Sequence, residues 1–185
     1  MNYFLKNIKK DFKHSFLNKY LYKSTKQLPA IEKIILSFKY KNNDLKKIVK
    51  SMLLLKIIVN QKSCFKTAKK LNIKLSIKKG QPVGSFVTLR NKNLYLFLDN
   101  LLNTMLTDIK KFKTEQVSNN ILKIRIHEFT NLKIIEKQYY IFSNLPNLDI
   151  SFVFSNTENG IKFKSILKSL KIYLKNSEYN LIGRV

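Results

Sequence analysis

The chain has 185 residues, 44% of them hydrophobic, and carries 36 Lys+Arg against 11 Asp+Glu for a formal charge of +25. That length suits one domain with a sizeable core, and the charge calls for a polyanionic partner, nucleic acid first and an anionic membrane surface second. The single cysteine, Cys64, excludes an intrachain disulfide and a cysteine-based zinc site and fits a reducing compartment, and the longest apolar runs are only a few residues, such as 52–55, so nothing spans a membrane.

Part of the basic excess has a simpler origin. The chain is rich in Lys, Asn, Ile, Phe and Tyr, has no Trp, and its alanines are Ala30 and Ala68. Those preferences match A- and T-rich codons, so some Lys reflects drift. Drift does not explain the scarcity of Asp and Glu, which a drifting surface is free to keep. The polyanion reading therefore stands.

The start, MNYFLKNIKKDFKHSF, is basic and amphipathic in the manner of a transit peptide, but it contains Asp11 and no Arg. It reads as a mature helix within 1–22, with Phe4, Ile8, Phe12, Phe16 and Tyr20 on one face. IEKIILSFKY (31–40) reads as a strand. Asn43 and Asp44 then stand where a helix cap belongs, followed by Leu45, Ile48, Val49, Met52, Leu53 and Ile57 at helical spacing.

LNIKLSI (71–77) alternates and predicts a strand, as does VGSFVTLR (83–90). Gly80, Pro82 and Gly84 mark a tight connection, the glycines being able to take positive φ. Leu94, Phe97, Leu98, Leu101, Leu102, Met105 and Leu106 form the clearest helical stripe. Residues 113–120 read as loop. ILKIRIHE (121–128) alternates with Ile121, Lys123, Arg125 and His127 on one side, and DISFVFS (149–155) is a further strand. Thr157 and Glu158 open a last helix with a lysine face, before a tail at 176–185.

These elements predict a single α+β domain over 1–185. It has a mainly antiparallel sheet of four to five strands, helices packed on one face, and a basic β-hairpin loop over 61–90. The other sheet face is left for a partner.

No enzyme, metal or cofactor signature occurs. His127 and Glu128 are adjacent in a strand and point to opposite faces, so they do not pair as base and orienter. Cys64 beside Phe65 reads as an inert thiol. There is no phosphate-binding glycine loop, dinucleotide fingerprint or zinc-protease motif. The basic stretch 61–80 is more informative. It carries Lys62, Lys66, Lys69, Lys70, Lys74, Lys78 and Lys79 and no acid. Lysine positions phosphates and does not read bases. Basic groups at both ends and in the middle of the chain fit a protein embedded in structured RNA.

At GQPVGSFVTLRNKNLYLFLDNLL (80–102) the chain resembles large-subunit ribosomal protein number five, the bacterial-type 5S rRNA-binding family. The shared positions include Gly80, Pro82, Gly84, Thr88, Arg90, Tyr95, Phe97 and Asp99, in fixed register. LPAIEKIIL (28–36), NQKS (60–63), TAKK (67–70) and LDISFVFSNT (148–157) resemble further family segments in the same order. The likeness covers about residues 10 to 175.

The resemblance implies a structural, non-enzymatic protein of the central protuberance. It implies binding of 5S rRNA through the sheet, a basic loop toward peptidyl-site tRNA, neighbouring large-subunit proteins, and a bridge to the small-subunit head. The implied rRNA-facing residues are Ser37, Lys39, Gln61, Lys62, Thr88 and Arg90. The implied tRNA-facing loop carries Lys66, Lys69, Lys70, Lys74, Lys78 and Lys79. Departures include Ser37 for a usual Asn, Asn91 for the Gly after Arg90, KFKTEQVSNN (111–120) in place of a family loop, and a rewritten 130–137. With the drift in composition, these fit an organelle-encoded copy in the mitochondrial matrix, ahead of a plastid or bacterial location. A free RNA-binding assembly factor and a basic peripheral membrane protein are the alternative readings.

Overall fold

The computed structural model describes residues 30–40, 44–101, 112–118, 120–127, 138–142 and 144–155, together with His14, Leu17, Gln27 and Ile135. Of the expected first helix only His14 and Leu17 are described, both helical. The expected cap residue Asn43, the stripe beyond Leu101 and the last helix lie outside the described residues.

The elements in chain order are β1 (Ala30–Lys39), α1 (Leu45–Val59), β2 (Cys64–Thr67), a 3-10 turn (Ile73–Leu75), β3 (Pro82–Leu89), α2 (Asn91–Asn100), β4 (Phe112–Ser118), β5 (Ile121–Ile126), α3 (Tyr139–Phe142) and β6 (Leu148–Ser155). The strands form one sheet in the order β2-β3-β1-β6-β5-β4, antiparallel at every step. The expected α+β fold is therefore what the chain adopts, with six strands in place of four to five.

Alternation explains why this sheet has two unlike faces. In β1, Ile34, Leu36 and Phe38 are fully buried. They meet Leu148, Ile150, Phe152 and Phe154 of β6 and Leu122, Ile124 and Ile126 of β5 in one core. Val87 and Leu89 of β3 continue that apolar face. Helix α1 packs on β3 and α2 on β1, so the helices cover this side. Burial of such a Leu, Ile or Phe side chain contributes roughly 1.5–3 kcal/mol each, so this face carries the fold.

Helix α1 is capped as expected. Asp44 accepts a hydrogen bond from the Lys47 N–H at 3.3 Å, and Asn60 ends the helix in the left-handed conformation at φ 61°. Its buried face differs from the expected one. Ile48, Ser51, Leu54, Leu55 and Ile58 point inward, whereas Leu45, Val49, Leu53 and Ile57 are exposed. The run MLLLKIIV is apolar nearly all round, so spacing alone does not select a face. Ser51 is buried because it has a partner: its Oγ lies 2.6 Å from Ser85 Oγ and donates to the Ile48 carbonyl at 2.7 Å. That pair pins α1 to β3. Helix α2 buries Leu94, Phe97, Leu98 and Leu101 as its stripe predicts.

Two expectations are corrected. LNIKLSI is not a strand: it is a short lobe in which Asn72 and Ile77 exchange backbone hydrogen bonds at 2.9 and 3.0 Å around the 3-10 turn. Ser76 at φ 53° breaks any extended run, and Leu71, Ile73 and Leu75 are exposed while Ile77 alone of the four is buried. Residues 113–120 are not a loop: most belong to β4, which pairs with β5 from Phe112↔Ile126 to Ser118↔Ile121.

The two glycines of the hairpin have different reasons to be there. Gly80 sits at φ 87°, a conformation other residues adopt only with strain. Gly84 does not need positive φ; it lies between β1 and β2, and a Cβ there would run into the Phe38 carbonyl oxygen. Gly84→Ala is expected to lower unfolding stability by about 3 kcal/mol through overpacking against backbone. Gly80→Ala, with open space around it, is expected to cost about 1 kcal/mol of conformational strain. Urea unfolding of the two variants measures both; equal losses would mean that close approach is not what Gly84 supplies.

Candidate nucleic-acid interface

The second sheet face is polar, and strand register assembles it. Opposed residues on antiparallel strands share a face. Lys66 of β2, Gly84 of β3 and Lys39 of β1 stand in one row. One step along, Phe86, Ser37, Asp149 and Arg125 form the next row across β3, β1, β6 and β5. Beyond it lie Thr88, Ile35, Ser151 and Lys123. The face therefore brings Ser37, Lys39 and Thr88 together, as expected, and adds Lys66 from what was read as the tRNA-facing loop.

At its centre one carboxylate holds three cations. Asp149 Oδ2 lies 3.1 Å from Lys123 Nζ and 3.5 Å from Lys39 Nζ, and Oδ1 accepts from Arg125 Nε at 3.1 Å. Asp149 and Lys123 form the floor, with side chains 8% and 11% exposed, while those of Lys39 and Arg125 are 56% and 31% exposed. Burial alone raises the Asp149 carboxyl. The hydrogen bonds from Lys123 and Arg125, backed by the charges of Lys123 and Lys39, outweigh it and hold the carboxyl below its usual range. Sequence reading missed Lys123, Arg125 and Asp149 as a group. The available signal was the alternation that put Lys123 and Arg125 on one side, and an acid inside the apolar strand LDISFVFS.

Gln61 is fixed by its own protein. Its Nε2 donates to the Thr88 carbonyl at 3.2 Å and its Oε1 accepts from Asn93 Nδ2 at 3.3 Å. Ser63 donates to the Met52 carbonyl at 3.0 Å. These bonds tie the end of α1 to β3 and the start of α2, and set Gln61 and Thr88 side by side. Lys62 and Arg90 are exposed beside them.

The hairpin over 61–90 is present, with β2 and β3 as its arms. Its neck is closed by Ala68 N–H to the Gln81 carbonyl at 2.8 Å and Gly80 N–H to the Ala68 carbonyl at 2.9 Å. Between neck and sheet lies a cleft of about 300 Å³, lined among others by Lys39, Lys66, Lys69, Lys70, Asn72 and Ile77. Burial and the neighbouring Lys39 ammonium lower the pKa of Lys66. Lys74, Lys78 and Lys79 are exposed on the distal lobe. Tyr40, also in the cleft wall, donates to the Lys47 carbonyl at 2.9 Å, and burial pushes its phenol up to about 12. Among the described residues no cluster of His, Cys, Asp and Glu fits a metal, and no helix is long and apolar enough to cross a membrane.

A depressed carboxylate contributes stability above its unfolded value, about pH 4, and loses it as pH falls through the folded value. The urea midpoint of the wild type is therefore expected to drop below about pH 4. Asp149→Asn should be less stable near neutrality, and the two curves should converge in acid. Curves that stay parallel would remove Asp149 from the acid response.

No family model matches the chain. Curated relatives do. The large ribosomal subunit protein uL5m of Reclinomonas americana is 31% identical over 159 residues, covering 83% of this chain and 87% of the relative. The uL5c protein of Stigeoclonium helveticum is 30% identical over 167 residues, covering 86% and 91%. The uL5 protein of Alkaliphilus oremlandii is 32% identical over 148 residues, covering 75% and 80%.

Proposed function

Because the chain belongs to the uL5 family of large-ribosomal-subunit proteins, we propose that its polar sheet face holds rRNA and that its lysine hairpin reaches a second RNA, peptidyl-site tRNA. The protein is a structural constituent of the large subunit of an organellar ribosome and not an enzyme. The finer reading assigns the sheet face, with Ser37, Lys39, Gln61, Lys62, Thr88 and Arg90, to 5S rRNA, or to another large-subunit rRNA segment where 5S rRNA is lacking. It further includes a bridge to the small-subunit head and a mitochondrial matrix location.

The observation that carries this reading is that cations stand both on the sheet face and on the lobe beyond the hairpin neck. The sheet face presents cations beside a fixed Gln61–Thr88 pair. The distal lobe presents Lys70, Lys74, Lys78 and Lys79 around exposed Leu71, Ile73 and Leu75. Lysines neutralise phosphates and polar groups set register, so the mechanism is positioning. RNA recognition by shape and backbone suits a Lys-rich surface of this kind.

Two experiments test the reading. The protein is expected to co-sediment with large subunits through high-salt gradients; recovery only at the top of the gradient would remove it from the subunit. Replacing Lys74, Lys78 and Lys79 by Ala is expected to leave subunit assembly unchanged and to weaken peptidyl-site tRNA binding roughly tenfold, as loss of several phosphate contacts does. Failure of assembly before tRNA binding would assign the lobe to rRNA.

A further inference from the structure

The cleft of about 300 Å³ between the hairpin neck and the sheet has two kinds of lining. Tyr40, Ala68, Ile77 and Val83 are apolar or aromatic, and Lys39, Lys66, Lys69 and Lys70 stand among them. Among the described residues no acid lines it.

The local chain explains why this space exists. The β2–β3 register shifts between Lys66 and Thr67, and Ala68 then closes the neck through its backbone, with only a methyl group as side chain. Beyond the neck, the exchange of backbone bonds between Asn72 and Ile77 folds the lobe back on itself. Ile77 is 6% exposed, yet it stands apart from the core built by the sheet and helices. From the sheet side, the Tyr40 N–H donates to the Val83 carbonyl at 3.0 Å, which joins two of the lining residues. The Tyr40 hydroxyl is bonded to the Lys47 carbonyl, so the ring is held in place before any ligand arrives.

Apolar walls with lysines among them suit a ligand that is planar and uncharged at its centre and negative on either flank. A nucleotide within an RNA strand has that form, a base between two phosphates. Folded RNA offers single bases where they are unpaired and splayed out, and proteins set such bases against aromatic side chains. A paired backbone alone would use the lysines and leave the apolar lining unused. Small-ligand pockets span roughly 300–1,000 Å³, so a cleft at the low end suits one base and not a stacked run.

We propose that this cleft takes one unpaired nucleotide of an rRNA strand, with its base against Tyr40, Ala68, Ile77 and Val83 and its flanking phosphates on Lys66, Lys69 and Lys70. Lys39 borders the site but is also paired with Asp149. The proposal rests on the reading of the sheet face as an rRNA surface, which the cleft adjoins through Lys39 and Lys66. It deepens that reading by naming the RNA feature that is held, a bulged or looped-out base.

Base and phosphates respond differently to salt. Phosphate contacts release counterions and weaken as salt rises, whereas burial of a base against apolar side chains carries no such term. The test uses the full chain and three labelled RNA duplexes of one sequence: fully paired, with a single bulged adenosine, and with the same bulge lacking its base. Anisotropy is followed over a range of salt. The bulged duplex is expected to bind roughly tenfold more tightly than the paired one, the scale of one base held against an aromatic side chain. The abasic bulge should lose that gain and keep the slope of log affinity against log salt. Ala68→Leu, which fills the cleft, should abolish the preference for the bulge without changing the slope. Lys69→Ala and Lys70→Ala should each lower the slope for the bulged duplex by about one.

Thermal unfolding in the same buffer fixes the folded fraction of each variant, and the abasic comparison needs no variant at all. Equal binding of bulged and abasic duplexes by the wild type overturns the proposal and leaves the cleft to an apolar side chain of a neighbouring protein. A folded Ala68→Leu variant that still prefers the bulge overturns it too. Large-subunit rRNA is expected to displace the bulged duplex at a lower nucleotide concentration than tRNA does; the reverse order overturns the rRNA source. A wild type without salt-dependent binding to any of the three duplexes overturns instead the rRNA reading beneath the proposal.

Discussion

Strand β1 runs through the middle of the sheet, and its alternation decides what every other element presents. Ile34, Leu36 and Phe38 face the helices; Lys33, Ile35, Ser37 and Lys39 face the other way. Both neighbours are locked to it by antiparallel register, Leu36 to Val87 on one side and to Ile150 on the other. A slip of one residue would turn three fully buried apolar side chains outward and two lysines, Lys33 and Lys39, inward. The apolar side thus fixes the polar side. The core holds the register, and the register holds Lys39 near Asp149 and opposite Gly84.

The two faces make different energetic contributions. Truncating a buried Phe such as Phe152 to Ala removes roughly 3–5 kcal/mol. The ion cluster offers no comparable net gain, because desolvating Asp149 and Lys123 offsets most of their attraction. What it supplies is geometry. The same holds for Gln61, whose amide is held at both ends by Thr88 and Asn93. Polar groups held in place before a ligand arrives lose less side-chain freedom on binding.

The strands that form the core were legible in the sequence because their alternation is enforced by burial. β1, β3, β5 and β6 fall within a residue or two of where IEKIILSFKY, VGSFVTLR, ILKIRIHE and DISFVFS place them. The same rule failed at LNIKLSI. Its alternation is as clean, but Leu71, Ile73 and Leu75 stay exposed, and the chain turns back on itself within six residues. β4 was hidden for the opposite reason. It pairs on one side only, and KFKTEQVSNN lacks the apolar period that a buried strand would need. The departure Asn91, where the family pattern has Gly, has a plain reason: it sits at φ 51°, which Asn tolerates better than most residues. The candidate site was legible only in pieces. Ser37, Lys39, Gln61 and Thr88 came from the family resemblance, whereas the Asp149 cluster joins strands whose pairing no local pattern reveals.

The short arm of the hairpin has a consequence for the free protein. β2 is one margin of the sheet, only four residues long, each of them exposed, and interrupted by an irregularity between Lys66 and Thr67. A brief, kinked, lysine-bearing margin is a poor template for another strand. The lysine on β2 therefore discourages self-association along that margin. A free chain is protected along that margin from growing into sheet aggregates.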